Sequence, residues 1–518
     1  MSRGIFNSNN KTTEVFTFKT NSDSGTTFDP QITSNSGGSN RRVHIDYGDG
    51  SVGYETGPNF SHTYSDNGDI KDVKVYFGDF DNIIALNLFN DDIYGTLDLI
   101  NPSFRNCYNF SLDNNSLLSG VTHGYNPSNT TQYYLDNCNI TGNHDLSMFP
   151  NLGGDFKMQG NPNLTSITHT GSSKVFTYYW LFSCDITGNH DLSMFPNLGG
   201  IFIMSLNPNL TGVAHTYSPQ TFTNYIISSC NITGNHDLTM FPNLGGGFSM
   251  HSNPILTGIT HTGSSEVFTS YQLYGCNITG NHDLSMFPNL GGSFRLDNNP
   301  NLTGVTHTYS PQTFSSYWLY NCDITGNHDM SMFPNLGGGF IMDFNPNLTS
   351  VTHTASTQTI GLYRINSCGS LIESDVSMLS GLSGHYTTYQ NLSLTGVTFP
   401  LTTGTFKNSV SSDLAFAMSS NPNLGYVDFK PLSGATMDVN STYGCTIDIR
   451  SHGMTSGEVN RTLTDFEWIT TNNPTRWSGV TLDISSNSVP DTTSDGYNGI
   501  SALSTLTGAT YQWTITTD

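Results

Sequence analysis

The chain has 518 residues and a formal charge of −23, and it is 35% hydrophobic but only 11% charged. Its 31 Phe and 25 Tyr exclude an acidic disordered polymer, which lacks aromatic residues. With only 17 Lys and Arg it is a poor ligand for a phosphate backbone, and no apolar run reaches the roughly 18 residues of a membrane helix. Its 52 Gly point to many turns between short strands.

The N-terminal stretch MSRGIFNSNNKTTEVF has no apolar run of signal-peptide length. The chain is therefore expected either to be a cytosolic product or to leave its cell by another route, such as assembly into a virus particle and lysis, which would place it on a virion or extracellular surface. Residues 1–80 contain IDYGDG at Ile45–Gly50 and HTYSDNGDIKDVKV at His62–Val75. This pattern resembles the PKD domain, a small β-sandwich in which W-D-F-G-D-G precedes H-x-Y and an alternating strand; Ile45 replaces the Trp. The resemblance implies a sandwich over 1–80 that also caps the N-terminal edge of the remaining chain. Asp46 and Asp49 flank a tight glycine turn, where Asx-type bonding is favoured over the alternative, a calcium site. Apart from this calcium alternative and the histidines discussed below, no cofactor is expected.

From 81 to 430 the chain repeats itself. CDITGNHDLSMFPNLGG begins at Cys184, and close copies begin at Cys138, Cys230, Cys276 and Cys322, an interval of 46 residues each time, with Cys368 one step further. Asn161, Asn207, Asn253, Asn299 and Asn345 fall midway, so the true period is 23. One half reads F-x-M-x-x-N-P-N-L-T (Phe340, Met342, Asn345, Leu348) and the other Y-x-L-x-x-C-x-I-T-G (Tyr317, Leu319, Cys322, Ile324). Both fit L-x-L-x-x-(N/C)-x-L, and here the chain resembles leucine-rich repeats. In a short strand alternate side chains share a face, so Phe340 and Met342 point inward while Ile341 and Asp343 point outward. The Asn or Cys at the following bend is buried, and Asn can bond backbone groups of the adjacent coil. NHDLSMFPNLGG is the outer return, in which Asp or Asn starts a helical or 3₁₀ turn and Gly-Gly leads into the next strand.

Residues 431–518 read as larger terminal coils and a cap. Val459, Leu463 and Phe466 stand at helical spacing; a second short helix runs through GISALSTL, and YQWTIT forms a final strand. The expected fold is mainly β: a leucine-rich-repeat-like parallel β-solenoid of 23-residue coils, an N-terminal PKD-like β-sandwich and a C-terminal cap containing short helices.

Chemistry is sparse. Ladder cysteines two coils apart are about 9–10 Å apart by strand spacing, beyond the reach of a disulfide, so they should be free and buried. Two histidine sets recur: His144, His190, His236, His282 and His328 in NHD, and His123, His169, His215, His261, His307 and His353 in THT or its variants. Interleaved along one edge they could bind divalent metal or respond to acid; the favoured reading is that each bonds a neighbouring turn. No GxSxG, HExxH, P-loop or Rossmann fingerprint occurs. Asp136, Asp297 and Asp343 are separated by coils or aromatics, so no recurrent carboxylate pair is expected and the protein reads as non-enzymatic.

The outward strand positions carry the functional expectation. They include Tyr134, Trp180, Phe182, Ile203, Leu206, Tyr274, Trp318, Tyr320, Ile341 and Phe344, interspersed with Lys157, Arg295 and Arg364. Exposed aromatics are costly unless covered, and they suit sugar rings or a partner's apolar side chains. The composition and tandem repeats resemble phage virion proteins, and PKD-like modules joined to such repeats resemble surface proteins of Bacteroidota and their phages. The resemblance implies a tail, fibre or head-surface component that binds a host glycan or surface protein, with other virion proteins or further copies of the chain as partners, and without nucleic acid or membrane insertion. The alternatives are a purely structural virion decoration or fibre subunit and a glycan-cleaving solenoid.

Overall fold

A computed structural model of the chain describes residues 13–21, 27–34, 43–55, 59–65, 69–77, 83–408, 414–442 and 444–517. The chain divides into two compact units, Met1–Ile255 with Ile259–Thr262, and Leu256–Gly258 with Gly263–Asp518.

In the first unit the strands Ile83–Asn87, Asn109–Ser111, Thr130–Tyr134, Leu152–Lys157, Phe176–Trp180, Gly200–Ile203, Phe222–Ile226 and Gly246–Ser249 pair in parallel, each with the next. The register aligns Phe110, Tyr133, Phe156, Tyr179, Phe202, Tyr225 and Phe248. Their rings lie against one another, with centroids 5.0 Å apart for Phe156–Tyr179 and 5.1 Å for Phe202–Tyr225. One coil alone cannot hide such a ring; stacking gives it two neighbours and makes the 23-residue repeat a β-solenoid. In the near-identical block the chain enters every second strand through a glycine in the left-handed region, Gly154, Gly200 and Gly246. Gly200 has φ 65°, and a Cβ there would stand 2.5 Å from Thr177 O.

The return is more structured than a simple turn. NHD first forms a second short strand, Gly188–Asp191, which pairs with Leu210–Ala214 of the next coil. Asp191 Oδ1 then accepts the Ser193 N–H, and two i→i+3 bonds come after it, Phe195 N–H to Leu192 O and Leu198 N–H to Phe195 O. This buries Leu192, Phe195 and Leu198 beneath the return.

An N-terminal antiparallel sheet closes the first edge. Thr13–Thr20 pairs with Lys71–Phe77 and with Ile93–Leu99, and Gln31–Ser34 pairs with Ile83–Asn87. Residues 78–82, which join Lys71–Phe77 to the first coil, lie outside the described residues.

The second unit repeats the scheme, aligning Tyr271, Phe294, Tyr317, Phe340, Tyr363 and Tyr386. Its later coils lengthen, and Phe416, Ile447, Leu482 and Ile515 continue the register. The helix Ser456–Asn472 fills the widened interior with Val459, Leu463 and Phe466. Thr455 and Glu458 form a reciprocal capping box at its start. A helix at Gly499–Thr507 and the strand Thr514–Thr516 complete the C-terminal cap. No helix among the described residues is long and apolar enough to cross a membrane.

Candidate functional site

Three repeating arrangements have chemical content: the Asn/Cys ladder, a histidine–tyrosine network and the outer strand face.

The ladder is structural. Asn161 is fully buried; its Nδ2 donates to Leu135 O and Met158 O, each at 2.8 Å, while its Oδ1 accepts the Ile140 N–H at 3.0 Å. Cys184, one coil on, donates its thiol to Met158 O at 3.2 Å. Asn207 and Cys230, and in the second unit Asn345 and Cys368, repeat the pair. All eight cysteines are free and buried, and burial pushes the Cys184 and Cys368 thiols up to about 12. In the later coils His452 takes a ladder place, with Nε2 2.6 Å from Met418 O. Asp91 takes one in the first coil, and burial pushes its carboxyl up to about 8.

The histidines do interleave, but their partner is a core tyrosine rather than a turn. Tyr179 Oη lies 3.0 Å from His169 Nε2 and 2.9 Å from His190 Nε2. The same triad forms at His123–Tyr133–His144, His215–Tyr225–His236 and His307–Tyr317–His328. The paired imidazole centroids are 6.0 Å apart for His169–His190 and 5.6 Å for His215–His236. Nδ1 of His169, His215 and His307 has no protein partner. A bare acceptor is cheaper to bury than a bare N–H, which places the proton of these rings on Nε2. Tyr179 Oη therefore accepts from His169 and donates to His190. Burial pushes His144, His190, His236, His282 and His328 down to about 4, against the neighbouring Asp charge that raises each. These imidazoles are neutral at pH 7, and among the described residues no three His, Cys, Asp or Glu side chains are grouped to hold a metal. The offsets from tyrosine, −10 and +11, are constant in the sequence and were the signal for the triad.

The outer face of the first unit is a grid. Register places Tyr134, Lys157, Trp180 and Ile203 side by side on successive rungs, with Gln132, Asp155, Tyr178 and Ile201 in the row two residues before. In the row two residues after, the Asp136 N–H donates to Asp113 Oδ1 and the Gln159 N–H to Asp136 Oδ1, and Phe182 stands next in line. The Lys157 ammonium sits 4.8, 4.5 and 4.6 Å from the Tyr134, Tyr178 and Trp180 ring centroids. Tyr178 meets Trp180 edge-on at 5.0 Å, and Phe182 lies 6.3 Å beyond. These rings are half-buried. Asp113 and Asp136 form a carboxyl pair on adjacent rungs, absent from the sequence expectation, which had Asp136, Asp297 and Asp343 separated by coils or aromatics. Burial pushes Asp113 up to about 6; burial and the Asp113 charge push Asp136 up to about 7.

The second unit carries the same idea with its cations paired. Arg295 is sandwiched between Tyr274 at 4.0 Å and Trp318 at 4.4 Å, and Nε and Nη2 donate to Asp297 at 2.9 Å each. Tyr320 lies beside Trp318, with centroids 6.5 Å apart. Two expectations need correction here. Ile341 is only 5% exposed, because Trp318 and Arg364 on the flanking rungs close over it. Asp343 is also buried, held by an ion pair with Arg364.

Leu206 and Phe344 differ from the rest of the row. The residue before each ladder position has a positive φ, and elsewhere it is usually Asn, Ser or Gly: Asn137, Gly160, Ser183 and Ser229 in the first unit, Asn321 and Ser367 in the second. Leu206 at φ 58° and Phe344 at φ 54° hold bulky side chains in that conformation, 52% and 55% exposed, at a cost of roughly 1–2 kcal/mol each.

In the N-terminal sheet Asp46 Oδ1 accepts the Gly48 N–H at 3.0 Å, and Asp49 Oδ2 lies 2.8 Å from His62 Nε2. Asp49 Oδ1 also accepts the Ser51 N–H, so these carboxylates bond within the turn. Comparison of the chain with protein-family models, curated proteins and solved structures returns no match.

Proposed function

We propose that the protein is a non-enzymatic recognition or adhesion protein that binds a surface glycan or surface protein through its outer strand face. The observation that carries this reading is the row Tyr178, Trp180 and Phe182. Three large rings lie in contact along the strand Phe176–Trp180 and the residues just after it, half open to solvent and backed by the ladder. Leu206 supports it: a strained, solvent-facing leucine on the adjoining coil is explained by a contact made outside the chain. The N-terminal sheet, with its IDYGDG turn, is read as a PKD-like module, and the whole as a virion surface component of a phage that meets its host. Trp180→Ala and Trp318→Ala test the reading. Each should abolish binding to a glycan array or to host cells while leaving the circular dichroism spectrum intact. Unchanged binding in both variants would refute it. Loss of particle assembly with binding intact would favour a purely structural decoration subunit.

A further inference from the structure

We infer that the first unit holds a site for an uncharged oligosaccharide, with Trp180 as the stacking surface for one sugar ring and Gln159, Asp136 and Asp113, on the three rungs before it, as polar contacts along the sugar chain. This rests on the recognition function proposed above and names its ligand class.

The grid is split by chemistry. On one side lie Tyr178, Trp180 and Phe182, then Ile203 and the exposed Leu206. On the other lie Asp113, Asp136 and Gln159 on three consecutive rungs. A pyranose ring has the same division, with an apolar C–H face that stacks on an aromatic ring and a rim of hydroxyls that both donate and accept. Gln159 stands one rung from the ring-bearing strand, Asp136 two and Asp113 three; at about 4.8 Å per rung, a sugar stacked on Trp180 places the next sugars of a chain over these polar groups.

Lys157 tells against a charged ligand. Among the described residues it makes no ion pair; its ammonium is enclosed by three rings and braces them in place. The carboxyls of Asp113, Asp136 and Asp155 therefore lack a bonded cation, unlike Asp297 and Asp343 in the second unit, which have Arg295 and Arg364. One caged cation facing three carboxyls leaves the surface net negative when they ionise, and an acidic sugar is repelled. Asp155 is engaged by the Tyr134 hydroxyl at 2.9 Å and Asp113 Oδ2 by the Ser111 hydroxyl at 3.3 Å, whereas the carboxyl of Asp136 is held partly protonated at neutral pH and so can donate to a hydroxyl as well as accept. Two further polar atoms beneath this surface, Trp180 Nε1 and Gln159 Oε1, have no protein partner.

The test uses the full chain at a pH of about 7, where Asp136 is about half protonated and Asp113 mostly ionised. Length-matched neutral oligosaccharides of glucose, mannose, galactose and N-acetylglucosamine are titrated beside oligogalacturonate and a sialylated oligosaccharide, following tryptophan fluorescence and calorimetric heat. The expected result is saturable binding of a neutral oligosaccharide, weakened about tenfold or more by Trp180→Ala, weakened less by Asp136→Asn, and undetectable for the acidic probes. Asp136→Asn keeps the shape of the rung, so it reports even if Trp180→Ala disturbs the fold. Equal or tighter binding of an acidic probe overturns the ligand class while leaving the recognition function standing. Neutral binding lost in Trp318→Ala but not in Trp180→Ala overturns the location alone. Absence of binding to every oligosaccharide overturns the inference, and retained attachment to host cells would then assign recognition to a protein receptor.

Discussion

Acidification to a pH of about 5 should loosen the second unit. His282, His328 and His353 are held down to about 4 by burial, whereas a free imidazole titrates near 6.5. A depressed folded value means that the unfolded chain binds protons first. The stabilisation is complete above about pH 7 and is lost as pH falls from about 6.5 towards 4. At a pH of about 5 each of the three has forfeited about 2 kcal/mol, together about 6 kcal/mol. His307, held well below its usual value by burial and by His328 and His282, acts in the same direction. Domain stabilities are typically about 5–15 kcal/mol, so the loss is comparable with the whole. Asp343, raised by burial, works in the opposite direction but is a single group. The first unit has a larger offset, since Asp91, Asp113 and Asp136 are all raised and favour acid. Hydrogen exchange followed by mass spectrometry resolves the two units. Peptides spanning the histidines of the second unit should lose protection between about pH 6 and 4.5, ahead of those from the first. His328→Gln should reduce the pH slope of stability by about 1.4 kcal/mol per pH unit. Protection that stays flat down to a pH of about 4, or an unchanged slope in the variant, would refute the reasoning.

Three other outcomes are expected. Asn345→Ala leaves Leu319 O, Met342 O and the Ile324 N–H without their buried side-chain partner and should cost about 3 kcal/mol or more in urea unfolding; Asn345→Cys should cost less, since a thiol bonds the equivalent carbonyl in the adjoining coils. Asp91→Asn should stabilise the first unit, and thermal melts should show a larger gain at a pH of about 9 than at about 6, because an acid with a raised folded value loses stability as pH climbs towards that value. Leu206→Asn relieves the left-handed strain and should raise stability by about 1 kcal/mol while weakening attachment to the bound surface; a variant that binds as before would remove Leu206 from the contact.

The period of 23 and the Asn/Cys frame made the coil legible, because burial of one polar residue per turn leaves a fixed spacing. Parity then assigned Phe340 inward correctly but misplaced Ile341, since alternation says which side of a strand a residue faces and nothing about the size of its neighbours. Trp318 and Arg364 settle that matter across the ladder, at distances of 23 residues in sequence. The histidines were visible as two series, yet their partner, Tyr179, had already been assigned to the apolar core, and its hydroxyl was not counted as a polar group needing satisfaction. The second strand at Gly188–Asp191 was hidden because GNHD has low strand propensity; it forms because the next coil's Leu210–Ala214 is there to bond it. Asp113 escaped notice because it precedes the near-identical repeats.

The thiol rungs bear on where such a molecule could work. Each ladder sulfur is fastened to a carbonyl oxygen and protonated far above neutrality, so it is a poor nucleophile and a poor target for oxidants. Nothing in the coil depends on a covalent bond between cysteines, and the same scaffold tolerates a reducing interior and an aerated exterior alike.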